Sequence, residues 1–363
     1  MNATRRLHDL GQSLWLDNIT RGMLADGTLR RYRDELSVTG LTSNPTIFDH
    51  AIANSTTYDD AIRRKARDGK AGERLFVELA LEDLIEAAEL FRPVHQQTGG
   101  VDGWVSLEVS PLLAYDTAST LAEARALAER AARPNIFIKI PGTPEGVPAI
   151  EEAIAAGVPI NVTLLFSPEQ YRAAGEAYFR GIERRLAGGL DPRVRSVASL
   201  FVSRWDRAVA GRVPAPLQNQ LGIAIARQTY RMYRELLASS RWSGLAARGA
   251  LPQRLLWAST GSKDPTASDT LYLEALAAPD TINTIPEKTL LAFAEHGKLD
   301  KLLPADEGYA EAVIAEFTRE GVDDEALAAD LQREGTAAFA QSWNDLMYRI
   351  AQKTGESTQT GRG

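Results

Sequence analysis

The chain has 363 residues, 44% hydrophobic and 25% charged, enough for one large α/β barrel or two ordinary domains, and composition does not choose between them. A formal net charge of -7, with paired bases such as Arg30–Arg31 and Arg184–Arg185 scattered among acids and not interleaved with aromatics, argues against a nucleic-acid partner. The lack of cysteine excludes disulfides and thiolate chemistry, and no run approaches the roughly 18 apolar residues of a membrane span.

The four histidines, His8, His50, His95 and His296, stand too far apart for an imidazole metal site, and no cofactor motif is apparent. Neither a metal nor a cofactor is therefore expected. Arg5 and Arg6 precede Gly11, Gln12 and Asp17 rather than an apolar signal core, so a cytoplasmic protein is expected, either a monomer or a homodimer.

In chain order, short β-branched or apolar runs alternate with longer stretches of helical period. Strands are predicted over residues 13–18, 37–44, 103–109, 135–140, 158–164, 194–202, 254–260 and 280–285. Helices are predicted over 73–91, 121–132, 168–186 and 217–237, among others, and a helical C-terminus over 309–351, folding across the barrel. Eight such βα units point to a closed (β/α)8 barrel, with the length beyond about 250 residues placed after strands two and six and at the C-terminus. A single barrel domain over 1–353 and a disordered tail over 354–363 are expected.

Alternate residues of a barrel strand face the lumen, so each strand can be split by parity. Ile136, Ile138 and Ile140 share the apolar face, which turns Asn135, Phe137 and Lys139 inward. Val105, Leu107 and Val109 go outward and send Ser106 and Glu108 toward the axis; Ile160, Val162 and Leu164 do the same for Asn161 and Thr163. Leu14 and Leu16 place Asp17 inside, Thr42 shares parity with Asn44, Trp257 with Ser259, and Thr281 with Asn283. Strand six adds Ser199. The C-terminal end of every strand thus carries an inward polar group, at the end where such barrels hold their active sites.

An inward lysine among carboxylates and hydroxyls suits amine catalysis on a carbonyl. A desolvated lysine can attack as the free amine, and the resulting iminium accepts the electrons of a breaking carbon-carbon bond. The alternative is a structural ion pair between Lys139 and Glu108 on adjacent strands.

These positions fall in longer motifs. Thr42-Ser43-Asn44-Pro45 resembles the signature of transaldolases, although Leu41 before it is slightly larger than usual. The run from Ile136 to Gly146 resembles that family's Schiff-base lysine segment, and Asn161-Val162-Thr163-Leu164-Leu165-Phe166-Ser167 resembles the run that follows it. With Trp15-Leu16-Asp17 and Leu107-Glu108-Val109-Ser110-Pro111, the similarity to the longer bacterial type extends from about residue 10 to residue 290.

The resemblance implies transfer of a dihydroxyacetone unit from fructose 6-phosphate or sedoheptulose 7-phosphate to an aldose phosphate in the pentose phosphate pathway. It implies Lys139 as the Schiff-base nucleophile, Glu108 and a water held by Thr163 as proton shuttles, and Asp17 as the base on the C4 hydroxyl. Asn44, Asn161 and Ser199 would hold the ketol hydroxyls, while Arg204, Lys263 and Ser259 would serve the substrate beyond them, with phosphate on Arg204 and Lys263.

Local alternatives stay open. Asn44 and Asp17 are also good turn residues, Thr163 could bond a backbone carbonyl, and Arg204 could pair with Asp206. The segment Thr260-Gly261-Ser262-Lys263 lacks P-loop spacing, which argues against nucleotide binding. Two rival functions remain: cleavage like that of the fructose-6-phosphate aldolases, which resemble this chain but are shorter and carry tyrosine where Glu108 stands, or a catalytically silent barrel acting as a scaffold.

Overall fold

A computed structural model describes residues 2–299, 301–303 and 308–355. Eight parallel strands, β1 (Ser13–Leu16), β2 (Val38–Thr42), β3 (Val105–Glu108), β4 (Ile136–Pro141), β5 (Ile160–Leu165), β6 (Ser196–Phe201), β7 (Gln253–Ala258) and β8 (Ile282–Ile285), pair in chain order and close β8 onto β1. The fold is a (β/α)8 barrel, as the alternating pattern implies. No helix among the described residues is long and apolar enough to cross a membrane.

The lumen's lower layers are filled by large side chains. Trp104 stacks on Phe137 with ring centres 3.9 Å apart, and Trp15, Val197, Leu256 and Ile282 join the same cluster. Gly40 is there of necessity, since a Cβ at that position would lie 2.6 Å from the Trp15 ring. Beneath, Arg254 donates to Ser13 Oγ at 2.8 Å and Trp15 Nε1 donates to Asp102 at 2.7 Å, which satisfies the polar groups that close the barrel's base.

Strand register carries the inward residues round the wall in a row. Thr42 pairs with Ser106, Glu108 with Lys139, Lys139 with Asn161, and Asn161 with Val197. Parity is confirmed for β1 to β6 except at two strand ends, where Asn135 turns to donate to the Ala88 carbonyl of the outer helix Gly72–Gln97 at 2.8 Å and Leu164, at φ 58°, joins the cluster of Trp15 and Phe137 instead of facing outward; it is inverted for β7 and β8. Trp257 packs outward against Tyr230 of the helix Leu221–Ala238, with ring centres 6.4 Å apart, and Leu256 and Ala258 face the lumen instead. Asn283 shares the outward register of Leu14 and accepts a hydrogen bond from Thr260 at 2.8 Å. Thr281 likewise binds outside the lumen, accepting from Gln12 at 2.8 Å, so the expected inward placement of Trp257, Thr281 and Asn283 is corrected. The reason is volume. With two tryptophans and a phenylalanine already inside, the lumen has room only for smaller side chains on the closing strands.

The C-terminal helical stretch is two helices, Tyr309–Arg319 and Asp324–Thr354, broken at Gly321 in the left-handed region at φ 83°. The second helix starts on an Asp323 cap and crosses the C-terminal mouth of the barrel. Phe339 reaches the mouth, Trp343 packs edge-on against Phe76 at 5.2 Å, and Ser342 shares a 2.8 Å hydrogen bond with Thr46. Thr354 still belongs to this helix and Gly355 caps it at φ 75°, so these two residues are not part of a disordered tail; the rest of the expected tail, 356–363, lies outside the described residues.

Candidate active site

A cavity of about 460 Å³ opens at the C-terminal end of the barrel. Lys139 lines it from β4, its Nζ donating to the Ser43 carbonyl at 2.9 Å and lying 3.1 Å from Glu108 Oε2. Ser43 is held in turn by donating to the Ser106 carbonyl at 2.8 Å. The Thr-Ser-Asn-Pro turn thus presents a main-chain oxygen to the lysine. Glu108 sits beneath the amine, buried and outside the lining of the cavity.

Asp17 faces Lys139 from the loop after β1 and accepts from Thr42 Oγ1 at 2.8 Å. Thr42 also lies 2.5 Å from Thr284 Oγ1. A hydroxyl has one proton, and Thr42 gives its proton to the carboxylate, so Thr284 must donate to Thr42. Burial pushes the Asp17 carboxyl above its ordinary range, against the pull of Lys139, Thr42 and Lys263. Burial raises Glu108 as well, opposed by Lys139 and reinforced by the charge of Asp17. Two buried carboxyls that hold protons more readily than free ones thus flank one amine.

On the other side Asn161 accepts from Ser199 Oγ at 2.7 Å and donates to Ser106 Oγ at 3.2 Å, which fixes the orientation of its amide. The buried hydroxyl of Thr163 has no hydrogen-bond partner among the described residues, so the carbonyl bond left open by the sequence is not formed. Asn44 lines the cavity and also caps the helix Pro45–Asn54, accepting from the Ile47 amide at 3.1 Å. Its turn role and its site position coexist.

The rim is basic. Arg204, in the first turn of the helix Ser203–Val209, lies over the Phe201 ring at 5.5 Å, and Lys263 stands exposed after β7. The Arg204–Asp206 ion pair is not formed, because Asp206 accepts from Tyr272 at 2.7 Å and from the Gly222 amide at 3.2 Å. Ser259 reaches the cavity although Ala258 does too, because its φ of 56° breaks the strand's alternation.

The structure therefore brings every predicted site residue to one place, with Glu108 just below it. Sequence reasoning missed Thr284, whose strand parity was inverted, and Phe339, whose helix carries no local sign of the barrel mouth.

A family model described as Transaldolase/Fructose-6-phosphate aldolase matches residues 14–350. The chain belongs to this family. Curated relatives named transaldolase include one from Thiobacillus denitrificans, 45% identical over 96% of this chain and 100% of its own length. Another, from Arthrobacter sp., is 44% identical over 95% of each chain, and one from Thermobifida fusca is 43% identical over 98% of this chain and 99% of its own. The protein is an enzyme of the transaldolase kind.

Proposed function

We propose that this enzyme transfers a dihydroxyacetone unit between sugar phosphates through a Schiff base on Lys139. The observation that carries the reading is the buried amine at the cavity floor, 3.1 Å from Glu108 and facing Asp17. Glu108 takes the proton that the amine must lose, and nitrogen attacks the C2 ketone of fructose 6-phosphate or sedoheptulose 7-phosphate. Glu108 and a water on the Thr163 hydroxyl then move the protons that let the carbinolamine lose water. Asp17 removes the C4 hydroxyl proton, the bond between C3 and C4 breaks, and its electrons pass to the iminium nitrogen. The aldose phosphate departs and leaves an enamine. An acceptor aldehyde reverses these steps, and hydrolysis frees the lysine.

Asn44, Asn161 and Ser199, all lining the cavity, hold the ketol hydroxyls, and Ser259 meets the chain beyond them. Arg204 and Lys263 form the positive rim for the phosphate. Burial weakens the charged form of Arg204, with neighbouring Arg207 adding to this, and a phosphate dianion offsets both effects.

The test is to mix the protein with fructose 6-phosphate, reduce with borohydride and map the peptides. A three-carbon adduct on Lys139 is expected, with turnover abolished in Lys139→Arg, since a guanidinium stays protonated and forms no iminium. A label on another lysine, or none, overturns the reading.

A further inference from the structure

The helix Asp324–Thr354 crosses the barrel mouth mainly on apolar contacts, yet it buries a glutamine, Gln332, with 8% exposure. Burying an amide is unfavourable unless its hydrogen bonds are made. Gln332 Nε2 makes two, to the Gly142 carbonyl at 2.9 Å and to the Leu164 carbonyl at 2.9 Å. Both hydrogens of the amide are spent on main-chain oxygens at the ends of β4 and β5.

These two ends are unusual. The Gly142 amide donates to the Thr163 carbonyl at 2.7 Å, and a Cβ at Gly142 would lie 2.3 Å from the Leu165 side chain, so the strands meet here only because residue 142 is glycine. Leu164 has φ 58°, a left-handed conformation that side-chain-bearing residues adopt at a cost, and the pairing of β5 with β6 shifts register between Val162 and Leu165. The helix holds this bulge twice. Gln332 takes its carbonyl, and the missing side chain of Gly335 admits that of Leu164, which would lie 3.0 Å from a Cβ there.

We propose that Gln332 is a positioning residue, pinning the ends of β4 and β5 together and so setting where the Lys139 amine and the Thr163 hydroxyl stand relative to each other. It touches no substrate; it acts through the peptides of Gly142 and Leu164. The proposal rests on the Schiff-base reading of Lys139, and its test separates the two.

Gln332→Met keeps the size of the side chain and removes both donors. The expected result is a kcat lowered at least about tenfold, a KM for fructose 6-phosphate within about twofold of the unaltered enzyme, and an equal slowing of borohydride-trapped adduct formation. Trp343→Phe, which loosens the same helix at its Phe76 contact without touching the strand ends, is the control for lost stability and should leave kcat within about twofold. Should Gln332→Met fail to fold, Gln332→Glu serves. Its carboxylate has no donor and should depress kcat, with partial recovery relative to the unaltered enzyme as the pH falls and a proton returns. Unchanged kcat in the Gln332 variant, or an equal loss in an equally destabilised Trp343→Phe, overturns the proposal alone. No adduct on Lys139 in the unaltered enzyme overturns the Schiff-base reading and this proposal together.

Discussion

Lys139 and Glu108 form a buried ion pair, and the proposed function gives the same two groups the catalytic work. Their side chains are 6% and 3% exposed, so removing either leaves the other buried without its partner, a change costing about 3–5 kcal/mol in comparable pairs. The two carboxyls can be told apart by the step that the proposed function assigns to each. Asp17→Asn should still form the trapped adduct but fail to release the aldose phosphate, whereas Glu108→Gln should slow adduct formation itself; single-turnover trapping compares them, and a rapid adduct in Glu108→Gln would remove that residue from proton transfer. Stability should move against activity at Asp17. Its folded carboxyl is raised above 3.8, so the folded chain keeps a proton that the unfolded chain releases, and stability is lost as pH rises through the folded value. The amide introduced by Asp17→Asn cannot ionise and can still accept from Thr42, so the variant should be the more stable protein at neutral pH by roughly 1 kcal/mol in urea unfolding.

At the level of single elements, the helix Thr117–Ala131 reaches back to the strand before it. Glu123 accepts from the Ser110 amide at 3.0 Å, two residues beyond Glu108, and thereby fixes the end of β3. Burial pushes its carboxyl from 4.5 up to about 7, the Ser110 amide opposes the rise, and Glu73 adds to it. The folded chain therefore holds this proton between about 4.5 and 7 while the unfolded chain has lost it, and the contribution to stability falls away as pH rises through 7. Glu123→Gln keeps the acceptor and cannot ionise. Its unfolding free energy should match that of the unaltered protein near the lower pH and exceed it near pH 8, by at most roughly 3 kcal/mol. Identical pH profiles for the two proteins would show that Glu123 does not titrate in this range.

Closure makes the barrel a single packing problem, so the lumen tolerates no added atom in its lower layer. Gly40→Ala puts a methyl 2.6 Å from the Trp15 ring, against a neighbour already wedged by Phe137 and Trp104. A loss of about 1–3 kcal/mol in urea unfolding is expected from such overpacking, with little change in KM for fructose 6-phosphate because the cavity lies above this layer. A large KM change at unaltered stability would mean that the lower layer governs the site directly.

The sequence by itself determined the eight strands, their order and most of the site. β-Branched runs of period two identify strands locally, and on β3, β4 and β5 the aliphatic face is unambiguous enough to turn Glu108, Lys139, Asn161 and Thr163 inward. The signatures around Asn44 and Lys139 pointed to the family, which periodicity cannot do. Tertiary structure alone decided which way β7 and β8 face, because both faces of those strands are buried and the choice depends on the volume already taken by Trp15, Trp104 and Phe137. It also decided the hydrogen-bond chain from Thr284 through Thr42 to Asp17, which exists only because β8 closes against β1. The same holds for Phe339 and Gln332 at the barrel mouth. Their place depends on a helix joined to the site by packing and not by sequence neighbourhood, and no local period records such a contact.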